Sequence, residues 1–291
     1  MPLIASNIHF AYPRARPILT GVSASFAPGA ITVLVGPNGA GKSTFLKLLL
    51  GALRPQSGSI TLDSRPLASI PARARAARLA YIPQHSYVAA PFSVRQVVTL
   101  GRFALPPDDR AIDTALDHLS LTHLASEPFG ALSAGQQQRI TLARALAQLG
   151  WPSTPTAISA SSTPAAPTRI LLADEPFSAM DPRFALHGAQ TLRDLAAAGV
   201  AVIIVLHDLT FALRLAHGGG AVLLDSSGVI TAHGSATDVL TSPEAAAAFG
   251  VTLSLHETPA GPVITPVLPS TAISRAPAPC PVQSASRSLA P

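Results

Sequence analysis

The sequence predicts an α/β fold in which helices flank a largely parallel sheet. Apolar segments of strand length alternate with segments of helical period, as they do where helices connect parallel strands. A glycine-rich turn joins one predicted strand to a predicted helix, and another apolar strand ends in two adjacent carboxylates. Because ligands of such folds bind at the carboxyl ends of the strands, these two features favour a ligand site there.

The first third of the chain is predicted to be rich in strands. Residues 3–35 alternate apolar and polar positions, which indicates short strands, and turn signals interrupt them at Pro13, Pro17, Gly21 and Pro28-Gly29. The last of these strands is the apolar run Ile31–Val35. A helix over residues 43–50 and a further strand over residues 78–83 follow.

The middle of the chain changes to helical period. Helices are predicted over residues 93–101, 109–119 and 133–148, and together they indicate a helical subdomain near residues 86–150. Ser133 is a good N-cap for the third helix. Strands resume at residues 169–173 and 200–206, with a helix near residues 183–197 between them.

Two segments have the composition of unstructured chain. Residues 150–168 form a Ser-, Thr-, Pro- and Ala-rich insertion that has too few large apolar residues to order itself, so we expect it to be flexible. Residues 259–291 are rich in Pro, Ala and Ser, and we expect a disordered tail there. The folded domain is therefore predicted to cover residues 1–258.

Composition excludes several classes of protein. Of the 291 residues, 48% are hydrophobic and 12% are charged, and no apolar run approaches the roughly 20 residues of a membrane-spanning helix. The N-terminus shows no secretory signal, and the single cysteine, Cys280, cannot form a disulfide within the chain, so a cytosolic protein is favoured. The formal charge of +5 includes no large basic face, which argues against a nucleic-acid partner.

The strongest motif is a phosphate loop between the strand Ile31–Val35 and the following helix. It matches the pattern G-x-x-x-x-G-K-[ST] in that context, where backbone N–H groups and a helix N-terminus bind phosphate oxygens. Lys42 is expected to reach the β- and γ-phosphates, and Ser43 to bind Mg²⁺. The predicted nucleotide-binding residues of this loop are Gly36, Pro37, Asn38, Gly39, Ala40, Gly41, Lys42, Ser43 and Thr44.

The second motif is the apolar strand that ends in Asp174 and Glu175. Asp174 is placed to hold Mg²⁺ through water, and Glu175 can polarise the water that attacks the γ-phosphate. An Asp-Glu pair is often only a solvated turn, but together with the phosphate loop it indicates a P-loop NTPase.

The segment that begins at Leu132 narrows the class. Ser133, Ala134, Gly135 and Gln136, which we call the signature segment, resemble with Leu132 the L-S-G-G-Q signature of the ABC ATPases, with Ala134 in place of the first glycine. The resemblance covers nearly all of residues 1–250. It implies a RecA-like P-loop core, an antiparallel β-subdomain and a helical ABC subdomain. In that family the signature segment of one subunit closes over the γ-phosphate held by another, and Ser133 would cap the helix that faces this anion.

The same resemblance assigns further site residues. Tyr12 lies where an aromatic ring stacks on adenine, although packing of this ring within its strand is the alternative. Gln84 matches the Q-loop residue that touches Mg²⁺. Residues 178–181, which match the D-loop, place Asp181 at the nucleotide, and His207 matches the switch histidine that contacts the γ-phosphate. The catalytic set is thus Lys42, Glu175 and His207, and the metal set is Ser43, Gln84 and Asp174.

Residues 81–85, 91–94 and 97–102 resemble the importer group for iron chelates, haem and cobalamin, and most of all the ATPases of haem importers. This resemblance implies a homodimer that uses ATP and Mg²⁺, bound to a polytopic permease at the cytoplasmic face of the cell membrane. A substrate-binding protein would act only indirectly. Two alternatives stay open, namely an importer ATPase for ferric siderophores or cobalamin, and a regulatory ABC ATPase that acts on a soluble partner.

Overall fold

The computed structural model describes residues 1–86, 88, 90–151 and 167–268. Most of the predicted insertion and of the predicted tail therefore lies outside the described residues. Among the helices that the structure describes, none combines the length and apolar character of a membrane span.

A six-stranded, mostly parallel sheet forms the centre of the molecule, and its strand order is β10-β9-β3-β8-β7-β6. β3 pairs in parallel with β8 and β9, while β10 is an antiparallel edge strand. The inner strands β7 and β8 are buried along their whole length because both faces of the sheet are covered, and their residues are apolar except for Asp174 at the end of β7. The strands are β3 (Ile31–Val35), β6 (Leu79–Ile82), β7 (Ile170–Asp174), β8 (Ala201–Val205), β9 (Gly220–Leu224) and β10 (Ile230–Ser235).

A second, antiparallel sheet has the order β2-β1-β4-β5. Its buried residues and those of helix α1 (Lys42–Leu50) form one apolar core with one face of the central sheet, in which the rings of Phe26 and Phe45 lie 6.2 Å apart. The strands are β1 (Leu3–Phe10), β2 (Leu19–Phe26), β4 (Ser57–Leu62) and β5 (Arg65–Pro66). This sheet is the predicted antiparallel β-subdomain.

The helical subdomain consists mainly of α3, α4 and α5, with bounds of Val94–Leu100, Asp109–His118 and Ala134–Leu149. Its apolar side chains belong to the core on the other face of the central sheet. Capping boxes start α3 at Ser93 and α5 at Ser133, which fixes both helix starts near their predicted positions. The remaining helices are α2 (Ala72–Ala76), α6 (Pro182–Ala197), α7 (Leu209–Leu215), α8 (Ala236–Leu240) and α9 (Pro243–Phe249).

The prediction that the folded domain ends at residue 258 is wrong. β11 (Thr252–Thr258) pairs with β12 (Gly261–Val267) in an antiparallel hairpin. The hairpin is attached to α7, because the Arg214 guanidinium donates to the Pro262 carbonyl at 2.9 Å and Ile264 is buried. The folded chain therefore continues to about residue 268, and residues 269–291 lie outside the described part.

The predicted insertion also begins later and ends earlier than residues 150–168. Gly150 caps α5, and the Trp151 ring lies 4.8 Å from the ring of His118. At the other end, the Thr168 hydroxyl lies 2.6 Å from Asp63 Oδ1, and Asp63 also forms an ion pair with Arg78. Both ends of the insertion are thus attached to the folded domain, and residues 152–166 lie outside the described part.

Candidate functional site

The phosphate loop curls between β3 and α1. Gly36 has a φ of 148°, and a Cβ atom at this position would lie 2.1 Å from the carbonyl oxygen of Leu224. A side chain at this position would force the loop or β9 to shift, because the carbonyl oxygen is backbone, and the φ itself disfavours residues other than glycine. The glycine lets the loop run close beside the neighbouring strand and leaves its N–H groups free to face a ligand.

The ammonium group of Lys42 lies inside this loop. Its Nζ donates hydrogen bonds to the carbonyl oxygens of Gly36 at 2.8 Å and Pro37 at 2.9 Å. Burial lowers the pKa of Lys42, while the nearby carboxylates of Glu175 and Asp174 act in the opposite direction. A positive charge is therefore held where phosphate oxygens would meet the loop.

Asp174, at the end of β7, is a buried carboxylate with an unused oxygen. Its side chain is 3% exposed, and Oδ1 has no hydrogen-bond partner among the described residues. Burial raises the pKa of Asp174, and a hydrogen bond from Ser43 opposes this shift. Because hard cations take carboxylate and hydroxyl oxygens, Asp174 and Ser43 fit a bound Mg²⁺.

Glu175 and His207 follow the ends of the adjacent parallel strands β7 and β8. The His207 ring nitrogen Nε2 lies 2.6 Å from Glu175 Oε1. Glu175 has a φ of 48°, which is unusual for a residue with a side chain, and its N–H donates to the Val205 carbonyl at 3.1 Å. The sharp turn after β7 thus directs the carboxylate towards the histidine.

One cavity of about 450 Å³ brings most of the predicted residues together. It is lined by Ile18, Asn38, Gly39, Gly41, Lys42, Ser43, Thr44, Gln84, Glu175 and His207. Gly36 and Pro37 supply the carbonyls that hold Lys42, and Ala40 is buried behind the loop. Tyr12 does not line this cavity; its ring packs edge-on against Phe10 at 5.0 Å, and its stacking on adenine stays a prediction.

The signature segment lines a separate cavity of about 360 Å³. Its lining residues are Ser133, Ala134, Gly135, Gln136, Arg139, Ala179, Met180, Asp181 and Phe184, none of which lines the first cavity. The Ser133 hydroxyl accepts from the Gln136 N–H at 3.3 Å, so the helix start is capped as predicted. Asp181 caps α6 by accepting from the Phe184 N–H at 3.1 Å.

Two residues of α5 that were not predicted as site residues, Gln138 and Arg139, lie at or near this cavity. The Arg139 side chain is buried, and its guanidinium lies 3.7 Å from the centre of the Phe184 ring, as in a cation–π contact. Arg139 also lines the same cavity as the signature segment. The Gln138 amide is also buried and contacts the D-loop. The polar run Gln136–Arg139 was visible in the sequence, but its partners lie about 40 or more residues away along the chain.

Comparison with known proteins agrees with this arrangement. The family described as "ABC transporter" matches residues 19–149. The chain is 40% identical to the hemin import ATP-binding protein HmuV of Rhodopseudomonas palustris over 268 residues, which are 91% of this chain and 95% of that protein. It is 36% identical to the protein of the same name from Rhizobium meliloti, covering 84% of this chain and 90% of the relative.

The chain belongs to the ABC transporter ATP-binding family. It is accordingly an ATP-binding protein and an ATPase of the ABC type. Solved structures of ABC proteins agree with the fold. A putative metal-chelate type ABC transporter in an inward-facing conformation aligns with a TM-score of 0.71 and 27% identity over 93% of this chain and 99% of that one. The ATP-binding subunit of another ABC transporter aligns with a TM-score of 0.69 and 24% identity, over 82% and 92% of the two chains.

Proposed function

We propose that this ABC ATPase drives the import of haem through a separate membrane permease. The observation that carries the proposal is the phosphate-loop cavity, in which the Lys42 ammonium, the Ser43 hydroxyl and the Glu175–His207 pair face one space. The unused carboxylate oxygen of Asp174 is buried outside the lining of this cavity, on a side chain that is hydrogen-bonded to Ser43. The choice of haem is supported by relatives at 36–40% identity that are named for hemin import.

Within the cavity each residue has a distinct chemical role. Lys42 and the loop N–H groups would bind the β- and γ-phosphates of ATP. Ser43 and Gln84 of the cavity, together with Asp174, would hold Mg²⁺. The metal would neutralise charge that develops on the phosphates. Glu175 orients the attacking water and accepts its proton. His207 leaves its contact with Glu175 to donate a hydrogen bond to the γ-phosphate.

The separation of the two cavities supports a homodimer. The N–H groups at the start of α5 favour an anion, yet the residues beside them share no cavity with Lys42. In a head-to-tail pair, the signature segment of each copy would face the γ-phosphate bound by the other, with Tyr12 stacked on adenine and Asp181 beside the second copy. ATP binding closes this pair, and hydrolysis reopens it.

The permease is proposed to dock in a groove beside the helical subdomain. A cavity of about 380 Å³ lies between this subdomain and the core, and Leu100 and Phe103 at its rim are 45% and 68% exposed. Exposed apolar side chains beside a groove are typical of a surface that receives an amphipathic helix. Docking of this kind would place the ATPase at the cytoplasmic face of the cell membrane, with the substrate-binding protein contacting only the permease.

Haem would cross the permease, so the proposal needs no haem ligand in this chain. His85 is exposed and is better explained as a surface residue than as an iron ligand. The likeness to a putative metal-chelate type transporter supports a second candidate, the import of ferric siderophores or cobalamin through the same mechanism.

A deletion and complementation experiment tests the proposal. Deleting the gene should block growth on haem as the sole iron source, while the use of ferric siderophores and cobalamin persists. The wild-type gene should restore growth on haem, and a gene that encodes Glu175→Gln should not. Loss of siderophore or cobalamin uptake with haem use intact would contradict the haem assignment. Purification of the chain with a soluble partner and no permease would contradict import altogether.

A further inference from the structure

The Gln138 side chain connects the signature helix α5 to the D-loop. It is 5% exposed, its Nε2 donates to Ser178 Oγ at 3.0 Å, and its Oε1 accepts from the Ala179 N–H at 2.9 Å. The same Nε2 approaches the Gln84 carbonyl at 3.5 Å, which is the upper limit of a hydrogen bond. One buried amide thus meets both the D-loop and the backbone of Gln84.

A second contact holds the Gln84 segment to the same helix. The Ser86 hydroxyl lies 2.6 Å from the Thr141 hydroxyl, and Thr141 itself donates to the Gln137 carbonyl. Ser86 is therefore the donor to Thr141. Gln138 and Thr141 are three residues apart, so they lie on one face of α5. That face of α5 is therefore hydrogen-bonded both to the D-loop and to the segment after β6.

We propose that Gln138 is a positioning residue, which makes the D-loop and Gln84 move with the signature helix as one unit. The inference rests on the proposed dimeric mechanism, in which Asp181 and the signature segment must reach the second copy at the same time. The Gln138 amide donates and accepts at once: it donates to the Ser178 hydroxyl and accepts from the Ala179 N–H. If the amide were lost, the D-loop would keep its fold but not its fixed place relative to α5.

Gln138 lines neither the phosphate-loop cavity nor the signature cavity. It therefore affects hydrolysis through the residues it holds, and not through contact with ATP. This separates its expected effect from that of Lys42 or Glu175. Nucleotide affinity of the single chain should be unchanged, whereas turnover and closure of the dimer should fall.

The first test compares Gln138→Met, Gln138→Glu and Gln148→Met in the full chain. Gln148 is a matched control on α5, because its amide donates to the Ala76 and Leu79 carbonyls at 2.7 and 2.9 Å, away from the D-loop. Gln138→Met should leave the Kd for ATP within about twofold and lower kcat roughly 10²-fold, as expected for misplaced groups at a reaction centre. Gln138→Glu, which still accepts from Ala179, should keep more activity. Gln148→Met should keep the kcat of the wild type, even if its Tm falls as much as that of Gln138→Met.

The second test places Gln138→Met on a Glu175→Gln background, where ATP should trap the dimer. Gel filtration with MgATP should show a dimer for Glu175→Gln alone and mostly monomer for the double variant. A double variant that dimerises as well as its parent, or a Gln138→Met enzyme with the kcat of the wild type, would overturn this inference alone. Equal losses of kcat in Gln138→Met and Gln148→Met would also overturn it. A parent that never dimerises would contradict the proposed dimeric mechanism and this inference together.

Discussion

At the residue scale, Glu175 combines an unusual backbone with a short contact. Its φ of 48° lies in the left-handed region, and its carboxylate is hydrogen-bonded to His207. Left-handed backbone at a residue with a full side chain is uncommon and is concentrated at functional sites. The protein accepts this conformation at the position where the proposed mechanism needs a base.

The first prediction concerns this carboxylate. Glu175→Gln keeps the side-chain shape but cannot accept a proton, so ATP binding should persist while turnover falls roughly 10²–10⁴-fold. Phosphate release measures turnover, and gel filtration with MgATP should show an ATP-bound dimer. Glu244→Gln, which changes an exposed glutamate on α9, serves as the control and should behave like the wild type. Near-normal hydrolysis by Glu175→Gln would disprove the assignment.

The second prediction concerns the two small residues of the signature segment. A Cβ atom on Gly135 would lie 2.6 Å from the Ala179 carbonyl oxygen, so Gly135→Ala should displace the D-loop. We expect a loss of roughly 10²-fold in kcat because groups that act together would be misplaced. Ala134 is exposed in the first turn of α5, and Ala134→Gly should cost less than about 1 kcal/mol of stability and leave kcat unchanged.

ATPase assays and thermal unfolding of both variants check this contrast. If the two substitutions lower kcat equally, the contact between Gly135 and Ala179 is not what limits activity. Unequal losses would indicate that an exposed alanine is tolerated at the first signature position, and that the close Ala179 carbonyl favours glycine at the second.

At the scale of elements, the helix starts and the central strands were predictable from the sequence, while several strands at the edges of the sheets were not. The strand Ile31–Val35 has its predicted bounds, because the glycine-rich loop that follows this short apolar run marks where the strand ends. Gly21 was predicted to mark a turn, but it lies inside β2 beside an irregularity in the pairing with β1, with a φ of 68°. A glycine in a bulge and a glycine in a turn have the same local signal, and only the partner strand distinguishes them.

The hairpin β11–β12 was missed because its second strand contains Pro262 and Pro266. Proline is confined to edge strands, where its missing N–H removes no ladder hydrogen bond. Pro262, Ile264 and Pro266 alternate along β12, and the N–H of Ile264 donates to Thr210 on α7 at 3.0 Å. The backbone nitrogens of both prolines therefore face away from β11, so their missing N–H groups cost no hydrogen bond to that strand. Composition alone cannot show this orientation.

The third prediction concerns the contact between α4 and α6. Burial lowers the pKa of His118, and His187 beside it acts in the same direction, while Asp194 and Asp117 act against it. The Nε2 of His118 lies 2.9 Å from the Thr191 hydroxyl, and its ring packs on Trp151. The folded protein therefore favours neutral His118.

Because the unfolded chain binds this proton more readily, stability should fall as the pH drops through the ordinary histidine pKa of 6.5 and below. Thermal unfolding at pH 7.5 and 5.5 measures the loss, and His118→Gln should reduce it. His123→Gln changes an exposed histidine and should keep the loss of the wild type. An equal loss in His118→Gln and the wild type would contradict the assignment.

At the scale of the whole molecule, the predicted site residues come together because local motifs end at one edge of the central sheet. Asp174 ends a strand of that sheet, and the phosphate loop, Glu175 and His207 each follow one, so the order of motifs was enough to predict them. Gln138 and Arg139 were not predictable in the same way. Their partners are Ser178, Ala179 and Phe184, which depend on how α5 packs against the segment after β7.

The fourth prediction concerns the insertion between α5 and β7. Trp151 and Thr168 attach its two ends to the folded domain, so residues 153–165 can be replaced by a short Gly-Ser turn without moving either end. Loop closure changes by only about 0.6 kcal/mol per halving of length, and Tm and ATPase rate should stay nearly unchanged. Thr168→Val, which removes the buried hydroxyl at the end of the insertion, should instead cost about 1–3 kcal/mol. A large loss on shortening would show that the insertion contributes contacts of its own.

The hairpin at the end of the described chain has a practical consequence for expression. A stop codon after Thr258 would retain β11 and delete its partner, which would leave a row of unpaired backbone groups beside Leu253 and Leu255. Unprotected strand edges recruit other chains, so the shortened protein would tend to precipitate during purification. It would also expose the surface of α7 that Ile264 covers. A stop codon after Leu268 retains both strands and avoids that hazard.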